Sequence, residues 1–145
     1  MAQQTKEMEN KAVVERLFSE LDEHNLEIMD ELIAEDYTTG IYRSGSEEQI
    51  AGREGMKELW QEYLEAFSDY RGKSLDMIAE DDRVAIFREE TGTHEGTFRG
   101  IEPTGKEITF EYGGYFVVED GKIVHGHLRG NMMNLLKQLG VELPI

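Results

Sequence analysis

The chain has 145 residues, of which 39% are hydrophobic and 32% charged, and this composition is typical of one globular domain covering residues 1–145. It has no cysteine, which excludes disulfides, thiolate metal sites and a cysteine nucleophile. The formal net charge of −16 repels phosphate groups, so we expect neither nucleic acid nor a membrane surface as a partner.

Four segments carry apolar residues at the spacing of an amphipathic helix. Their apolar faces lie at residues 13–21, 26–33, 56–67 and 132–139. Asn25 is the expected N-cap of the second helix, Gly52 precedes the third, and Gly140 is expected to end the fourth. The third segment has a broad apolar stripe, which favours a long helix that covers one face of a sheet.

Between the third and fourth helices the pattern changes to that of β-strands. Strands are predicted at residues 74–79, 83–93, 107–118 and 122–130, with a short extension at 97–99 and an early edge strand at 37–43. Turns are predicted at 81–82, 100–105 and 120–121, and a polar loop at 44–48. Helices followed by an antiparallel run of strands indicate an α+β fold and not repeated βαβ units.

The acidic residues are spread along the chain and do not form a tail. A surface of this kind is typical of salt-adapted proteins, so we predict a halophilic source. Residues 1–7 contain no apolar run and no cleavage signal, and no stretch approaches the roughly 20 apolar residues that span a bilayer. We therefore expect a cytoplasmic protein.

Four segments, taken in their order and spacing, resemble one protein family. They are Gly-Arg-Glu-Gly-Met-Lys at 52–57, Gly-Thr-His-Glu-Gly-Thr-Phe at 92–98, Gly-Ile-Glu-Pro-Thr-Gly-Lys at 100–106, and Asp-Gly-Lys-Ile-Val at 120–124 with Leu-Leu-Lys-Gln-Leu-Gly at 135–140. From about residue 10 to residue 140 the chain is similar to the SnoaL-like polyketide cyclases, or ester cyclases, of the nuclear-transport-factor-2-like superfamily.

The resemblance implies a cone-shaped α+β barrel, in which N-terminal helices pack on a strongly curved, mostly antiparallel sheet and a short C-terminal helix closes the fold. It also implies a ligand-binding pocket at the wide end of the cone and a homodimer. In the cyclases proper, the pocket closes a ring in a polyketide ester by an aldol reaction. A pocket carboxylate moves the proton, with no metal and no organic cofactor.

Many members of the family read Glu-x-Trp just after the segment that corresponds to 120–124, with an Asp four residues beyond the Trp. Here these three positions hold His125, His127 and Asn131. Histidine transfers protons near neutral pH, and an arginine or asparagine stabilises a developing enolate. We therefore predict His127 as the general acid/base. Its predicted assistants are His125, Arg129 and Asn131.

The direction of this last strand decides whether those residues can act. Residues two apart share a face, and alternation alone favours a solvent-facing row at 125, 127 and 129. The opposite face holds Gly126, Leu128 and Gly130, which is a poor core stripe, and the resemblance places the histidine face inward. We therefore expect the histidine face to line the pocket.

A His-x-His pair on a strand also chelates zinc when a third ligand is present. The sequence offers three residues for that place, namely His94, Glu90 and Glu111. This fold usually needs no metal, so we predict no metal and no cofactor.

Aromatic residues on the second long strand and on the third helix are expected to form the pocket wall, because the inner core and the pocket lining of such a fold are partly the same surface. Arg88 and Glu90 are either a charge pair in the pocket or the point where their strand emerges into water. His94 has either a structural hydrogen bond or a pocket role. The predicted ligand-binding residues are Trp60, Tyr63, Arg88, His94, Phe110, Tyr112 and Phe116.

The leading hypothesis is a cofactor-independent ester cyclase, or a related lyase or isomerase, that acts on a small, mostly apolar carbonyl compound. The alternative is a non-catalytic domain that binds a small hydrophobic molecule, since the carboxylates of the family motif are replaced. A third reading is a dimerisation module whose pocket is filled by side chains.

Overall fold

The computed structural model describes residues 2–43 and 46–142, with the backbone alone for residues 40–51. Four helices are present in this part of the chain: α1 (Ala2–Asp22), α2 (Ile28–Leu32), α3 (Gly52–Ala66) and α4 (Met132–Gln138). The strands are β1 (Ile33–Arg43), β2 (Ser46–Ala51), β3 (Arg71–Glu80), β4 (Arg83–Thr93), β5 (Glu107–Glu119) and β6 (Lys122–Gly130). The predicted α+β class is confirmed.

The strands form one six-stranded sheet in the order β2-β1-β6-β5-β4-β3. Neighbours are antiparallel except β1 and β6, which run parallel. The connection from β5 to β6 is a tight turn in which Asp120 and Gly121 both have positive φ, as the Asp-Gly pair predicts. Asp81, also at positive φ, makes the corresponding turn between β3 and β4.

The two faces of the sheet have different environments. On β4 the side chains alternate: Val84, Ile86 and Glu90 are buried, whereas Phe87 is 51% exposed. We call the side that carries Glu90 the inner face and the side that carries Phe87 the outer face. Helices α1 and α3 cover the inner face, and the ring of Phe18 on α1 packs against Phe116 on β5. The core therefore lies between the helices and the inner face.

The position of β1 differs from the prediction. Residues 37–43 were expected at an edge, but β1 lies between β2 and β6, and β2 is the strand beyond it. Of the predicted polar loop, residues 46–48 belong to β2, while 44–45 lie outside the described residues. Pairing with β6 joins segments almost ninety positions apart, such as Thr38 with His125, so local sequence carries no signal for it.

Two smaller predictions are also wrong. Asn25 is not the N-cap of α2: Glu27 has that position, and the Asn25 side-chain amide donates instead to the Glu20 carboxylate (2.9 Å). The extension at 97–99 is not a strand, since a single bridge between Phe98 and Ile101 is formed there. Gly140 does follow the end of α4, with a φ of +90° that favours glycine.

Candidate functional site

A cavity of about 80 Å³ lies between the helices and the inner face. Its lining side chains are apolar except for three tyrosines, Trp60 and Glu90. From the helices and the segments after them it is lined by Leu17, Phe18, Leu21, Met29, Met56, Leu59, Trp60, Tyr63 and Tyr70. From the strands it is lined by Ile33, Glu90, Phe110, Tyr112, Phe116, Leu128 and Gly130.

Glu90 presents a carboxylate to this apolar wall although it is only 1% exposed. Its Oε1 accepts a hydrogen bond from the Tyr112 hydroxyl (2.5 Å) and another from Nε of Arg88 (3.2 Å). The Tyr70 hydroxyl also lies near enough to the carboxylate to favour its ionised form and so to lower the pKa of Glu90. Burial raises the pKa of Glu90, and the attraction to Arg88 and these hydrogen bonds offset only part of that effect.

The two tyrosines beside Glu90 remain hydrogen-bond donors over the physiological pH range. Burial raises the pKa values of Tyr70 and Tyr112 well above the ordinary value, and the adjacent charge of Glu90 raises them further. Ionised tyrosinate is therefore disfavoured at both positions. The carboxylate and the two hydroxyls form the polar end of an otherwise apolar cavity.

Arg88 lies behind Glu90 and is itself 1% exposed. Its guanidinium also donates to Oδ1 of Asp22 (2.7 Å) and to Oγ of Ser74 (3.1 Å), and it lies over the ring of Phe18. Arg88 and Glu90 are thus a charge pair on the inner face, and β4 does not emerge into water at this point. The pair continues the buried alternation that Val84 and Ile86 begin.

Gly72 on β3 makes room for this charge pair. A Cβ atom at position 72 would lie 2.5 Å from Cγ of Glu90 and 2.7 Å from Nη2 of Arg88. Glycine is therefore the residue that lets β3 approach the two charged side chains so closely.

The predicted aromatic wall lies at the cavity. Trp60, Tyr63, Phe110, Tyr112 and Phe116 all line it. The Tyr63 ring is near the centre of the cluster, stacked on Tyr70 (5.2 Å between centroids) and on Phe110 (6.2 Å). Tyr70 and Glu90 are absent from the predicted ligand-binding set. The signal that would have found Glu90 is the continuation of the buried β4 alternation into charged residues.

The structure corrects the expected direction of β6. Its inner face carries Gly126, Leu128 and Gly130, and the two histidines point to the outer face. His127 is exposed and stacks on the ring of Tyr115 (5.5 Å between centroids). Nδ1 of His125 is 2.8 Å from Oγ1 of Thr38.

The glycines of β6 face inward because large side chains occupy the space in front of them. A Cβ atom at Gly126 would lie 2.1 Å from the hydroxyl of Tyr37, and one at Gly130 would lie 2.4 Å from Cζ of Phe110. A stripe that is weakly apolar by composition is therefore packed tightly by rings from neighbouring strands.

The remaining predicted residues also lie outside the cavity lining. Arg129 donates to the carbonyl oxygen of Leu128 (2.9 Å), and the side chain of Asn131 caps α4 by accepting from the Asn134 N–H (3.1 Å). His94 is fully buried, and its Nδ1 accepts from the N–H of Thr104 (3.1 Å). It therefore holds the end of β4 to the following loop.

Two further findings concern metals and membranes. Within residues 2–43 and 46–142, no group of three or more histidine, aspartate or glutamate residues is arranged to hold a metal ion. Glu111 and the two histidines lie on the outer face, whereas Glu90 and His94 are buried. In the same part of the chain, no helix has the length and hydrophobicity required to span a bilayer.

Residues 12–139 match the family profile described as SnoaL-like polyketide cyclase. Among solved structures, AclR of Streptomyces galilaeus, provisionally named a hydroxylase, is 29% identical with a TM-score of 0.81, covering 95% of this chain and 99% of its own. IdmH of Streptomyces antibioticus, provisionally named a polyketide cyclase, is 27% identical with a TM-score of 0.77, covering 91% and 99%. A protein of Jannaschia sp. CCS1, provisionally named a SnoaL-like polyketide cyclase, shares the fold at 18% identity and a TM-score of 0.82, covering 94% and 95%. No curated protein matches the chain in sequence.

Proposed function

Since the chain belongs to the SnoaL-like polyketide cyclase family, we propose that it catalyses a cyclase-type proton transfer on a small apolar carbonyl compound held in the cavity. The observation that carries the proposal is the Glu90 carboxylate in an apolar wall, beside the hydroxyls of Tyr112 and Tyr70. A buried carboxyl group with a raised pKa is a stronger base than an exposed one.

The reaction class follows from these three groups. Ionised Glu90 takes a proton from the carbon next to a carbonyl. As Glu90 becomes protonated, the Tyr112 hydroxyl, which donates to the carboxylate in the free protein, donates its hydrogen bond to the enolate oxygen instead. The enolate carbon then forms a bond to a second carbonyl carbon. The alkoxide made in that step takes the proton back from Glu90, so the sequence needs no external oxidant or reductant.

The carboxylate retains capacity for a substrate. A carboxylate offers about four acceptor positions. Arg88 and Tyr112 use two of them, both on Oε1. A remaining position is where a substrate C–H would approach.

The test is deuterium exchange at the α-carbon of 2-tetralone, a small apolar ketone with acidic α-protons, followed by NMR in D₂O. The wild-type chain should exceed the buffer rate, and Glu90→Gln should return it to the buffer rate. Glu89→Gln is the matched control, because Glu89 neighbours Glu90 on β4 but faces outward, near Lys73. Equal exchange by wild type and Glu90→Gln would contradict the assignment.

The same assay separates two candidate bases. If Glu90 moves the proton, His127→Ala should leave the exchange rate unchanged, because His127 is exposed on the outer face. Loss of exchange in His127→Ala, with Glu90→Gln unaffected, would support the histidine assignment made from the sequence.

A non-catalytic ligand-binding domain is the second candidate. The observation in its favour is that Arg88 neutralises Glu90 while the Tyr112 hydroxyl already donates to it, which is also the arrangement of a structural buried ion pair. Binding of 2-tetralone, seen as NMR shift changes at cavity residues, without exchange above the buffer rate would favour this candidate.

We also propose that the chain forms a homodimer through the outer face of the sheet. Phe87 and Ile78 are 51% and 62% exposed there, on adjacent paired strands. A second copy would remove this apolar surface from water. Arg83 and Arg129 lie on the same face and reduce the local excess of negative charge that would oppose association.

A further inference from the structure

Arg88 joins two carboxylates that lie in different environments. Its Nε donates to Glu90 at the cavity (3.2 Å), and its Nη2 donates to Asp22 (2.7 Å). Glu90 is 1% exposed, whereas the Asp22 side chain is 24% exposed and borders a polar depression on the surface. One buried positive charge is therefore shared between the cavity and the surface.

Asp22 occupies an unfavourable place for an acidic residue, because it is the last residue of α1 and the C-terminal end of a helix disfavours negative charge. It is nevertheless fixed there by two donors. Its Oδ1 accepts from the backbone N–H of Gly72 (3.1 Å) as well as from Arg88. The Asp22 carboxylate is thus held beside the Arg88 guanidinium, although the C-terminal end of α1 disfavours a negative charge there.

We propose that Asp22 is a positioning residue that sets, through Arg88, how readily Glu90 releases its proton. Asp22 does not line the cavity, so it acts on Glu90 and not on the substrate. Arginine stays protonated in proteins, so the link passes no proton and works by charge alone. While Asp22 is ionised it shares the Arg88 charge, and Glu90 receives less stabilisation of its ionised form.

The inference rests on the proposed function in one respect: the protonation of Glu90 matters for turnover only if Glu90 is the base. The groups that face Glu90 are Arg88, Tyr112 and Tyr70. Burial keeps both tyrosines neutral, so their charge does not vary near pH 7. The charged and titratable groups around Asp22 at the depression are Glu23, His24, Asp69, Arg71 and Glu107.

The experiment is an NMR titration of the Glu90 side-chain carboxyl carbon, assigned with Glu90→Gln, and it requires no substrate. In Asp22→Asn the apparent pKa of Glu90 should fall by on the order of one pH unit, because Arg88 then acts on Glu90 alone. The asparagine keeps an oxygen for Gly72 and Arg88. The groups at the depression are the same in every variant, so their effects cancel in the comparison.

Two controls separate charge from position. Ser74→Ala removes a neutral hydrogen bond to the same guanidinium and should leave the pKa of Glu90 within about 0.3 unit of wild type. Asp22→Glu keeps the negative charge and should therefore give a Glu90 pKa close to that of wild type. An unchanged titration in Asp22→Asn, or an equal shift in Ser74→Ala, overturns the inference. A shifted titration together with unaffected exchange in Glu90→Gln would uphold the link and reject the proposed catalytic role.

Discussion

Replacing Arg88 with methionine would remove the cation of the buried pair while keeping a side chain of similar length. The substitution leaves Glu90 at 1% exposure without its charged partner and also removes the contact with the ring of Phe18. Removing one member of a buried pair costs about 3–5 kcal/mol of the free energy of unfolding when the other member stays ionised. We expect that loss at alkaline pH.

The loss should depend on pH with a definite sign. Without Arg88, the pKa of Glu90 in the folded chain rises further above its unfolded value, since the attraction that lowers it is gone. A carboxyl group whose pKa is higher in the folded chain stabilises the folded state fully below its unfolded pKa of about 4.3. That contribution to the free energy of unfolding is lost as the pH rises through the folded pKa. The deficit of Arg88→Met relative to wild type should therefore be small near pH 4 and grow toward alkaline pH.

Urea unfolding followed by the fluorescence of Trp60, the single tryptophan, measures both effects. Lys57→Met is the control, because Lys57 pairs with Asp30 (2.6 Å) at a site open to solvent, where the loss of an ion pair should change the free energy of unfolding little. The double variant Arg88→Met/Glu90→Gln should regain much of the loss. Equal costs for Arg88→Met and Lys57→Met, or a deficit that does not shrink in acid, would refute the reasoning.

Three further predictions concern packing, assembly and salt. Gly126→Ala should lower the free energy of unfolding by roughly 1–3 kcal/mol, because its Cβ would lie 2.1 Å from the Tyr37 hydroxyl, and Gly113→Ala, with its nearest atom at 3.1 Å, should cost less in the same urea assay. Light scattering should give a dimer mass for the wild type and a monomer mass for Phe87→Glu. Met8 is exposed on α1, away from the proposed interface, so Met8→Glu should remain dimeric. A monomer mass for the wild type would contradict the proposed interface. Molar KCl should raise the melting temperature, because screening reduces repulsion within a chain of net charge −16, and a melting temperature that does not rise across the salt series argues against a salt-adapted surface.

Local periodicity was sufficient for most elements of the fold, although it did not predict β2. The predicted strand at 83–93 has the same bounds as β4, and the predicted strand at 122–130 has those of β6. The aromatic wall also follows from period two, since Phe110, Tyr112 and Phe116 lie on one side of β5 and line the cavity. These features depend on residues within a few positions of one another, which a sequence records directly.

The charge pair at the cavity depends on distant segments. From β4 alone, Arg88 and Glu90 can equally mark the end of a buried stripe. Their burial is possible because Asp22 at the end of α1 and Gly72 on β3 supply the second acceptor and the space. Gly72 meets Glu90 through the pairing of β3 with β4, whereas Asp22 reaches Arg88 only when α1 packs on the inner face.

The direction of β6 was likewise decided by tertiary structure. Successive side chains of a strand point to opposite faces, and alternation alone favoured solvent for His125 and His127, but the weak apolar stripe on the opposite side argued for the reverse. Judged by hydropathy, the side of β6 that contains Gly126 is a poor candidate for the core-facing side, because a glycine has no apolar side chain of its own. The hydroxyl of Tyr37 from β1 and rings from β5 fill that space, and a single strand does not encode which neighbours will cover it.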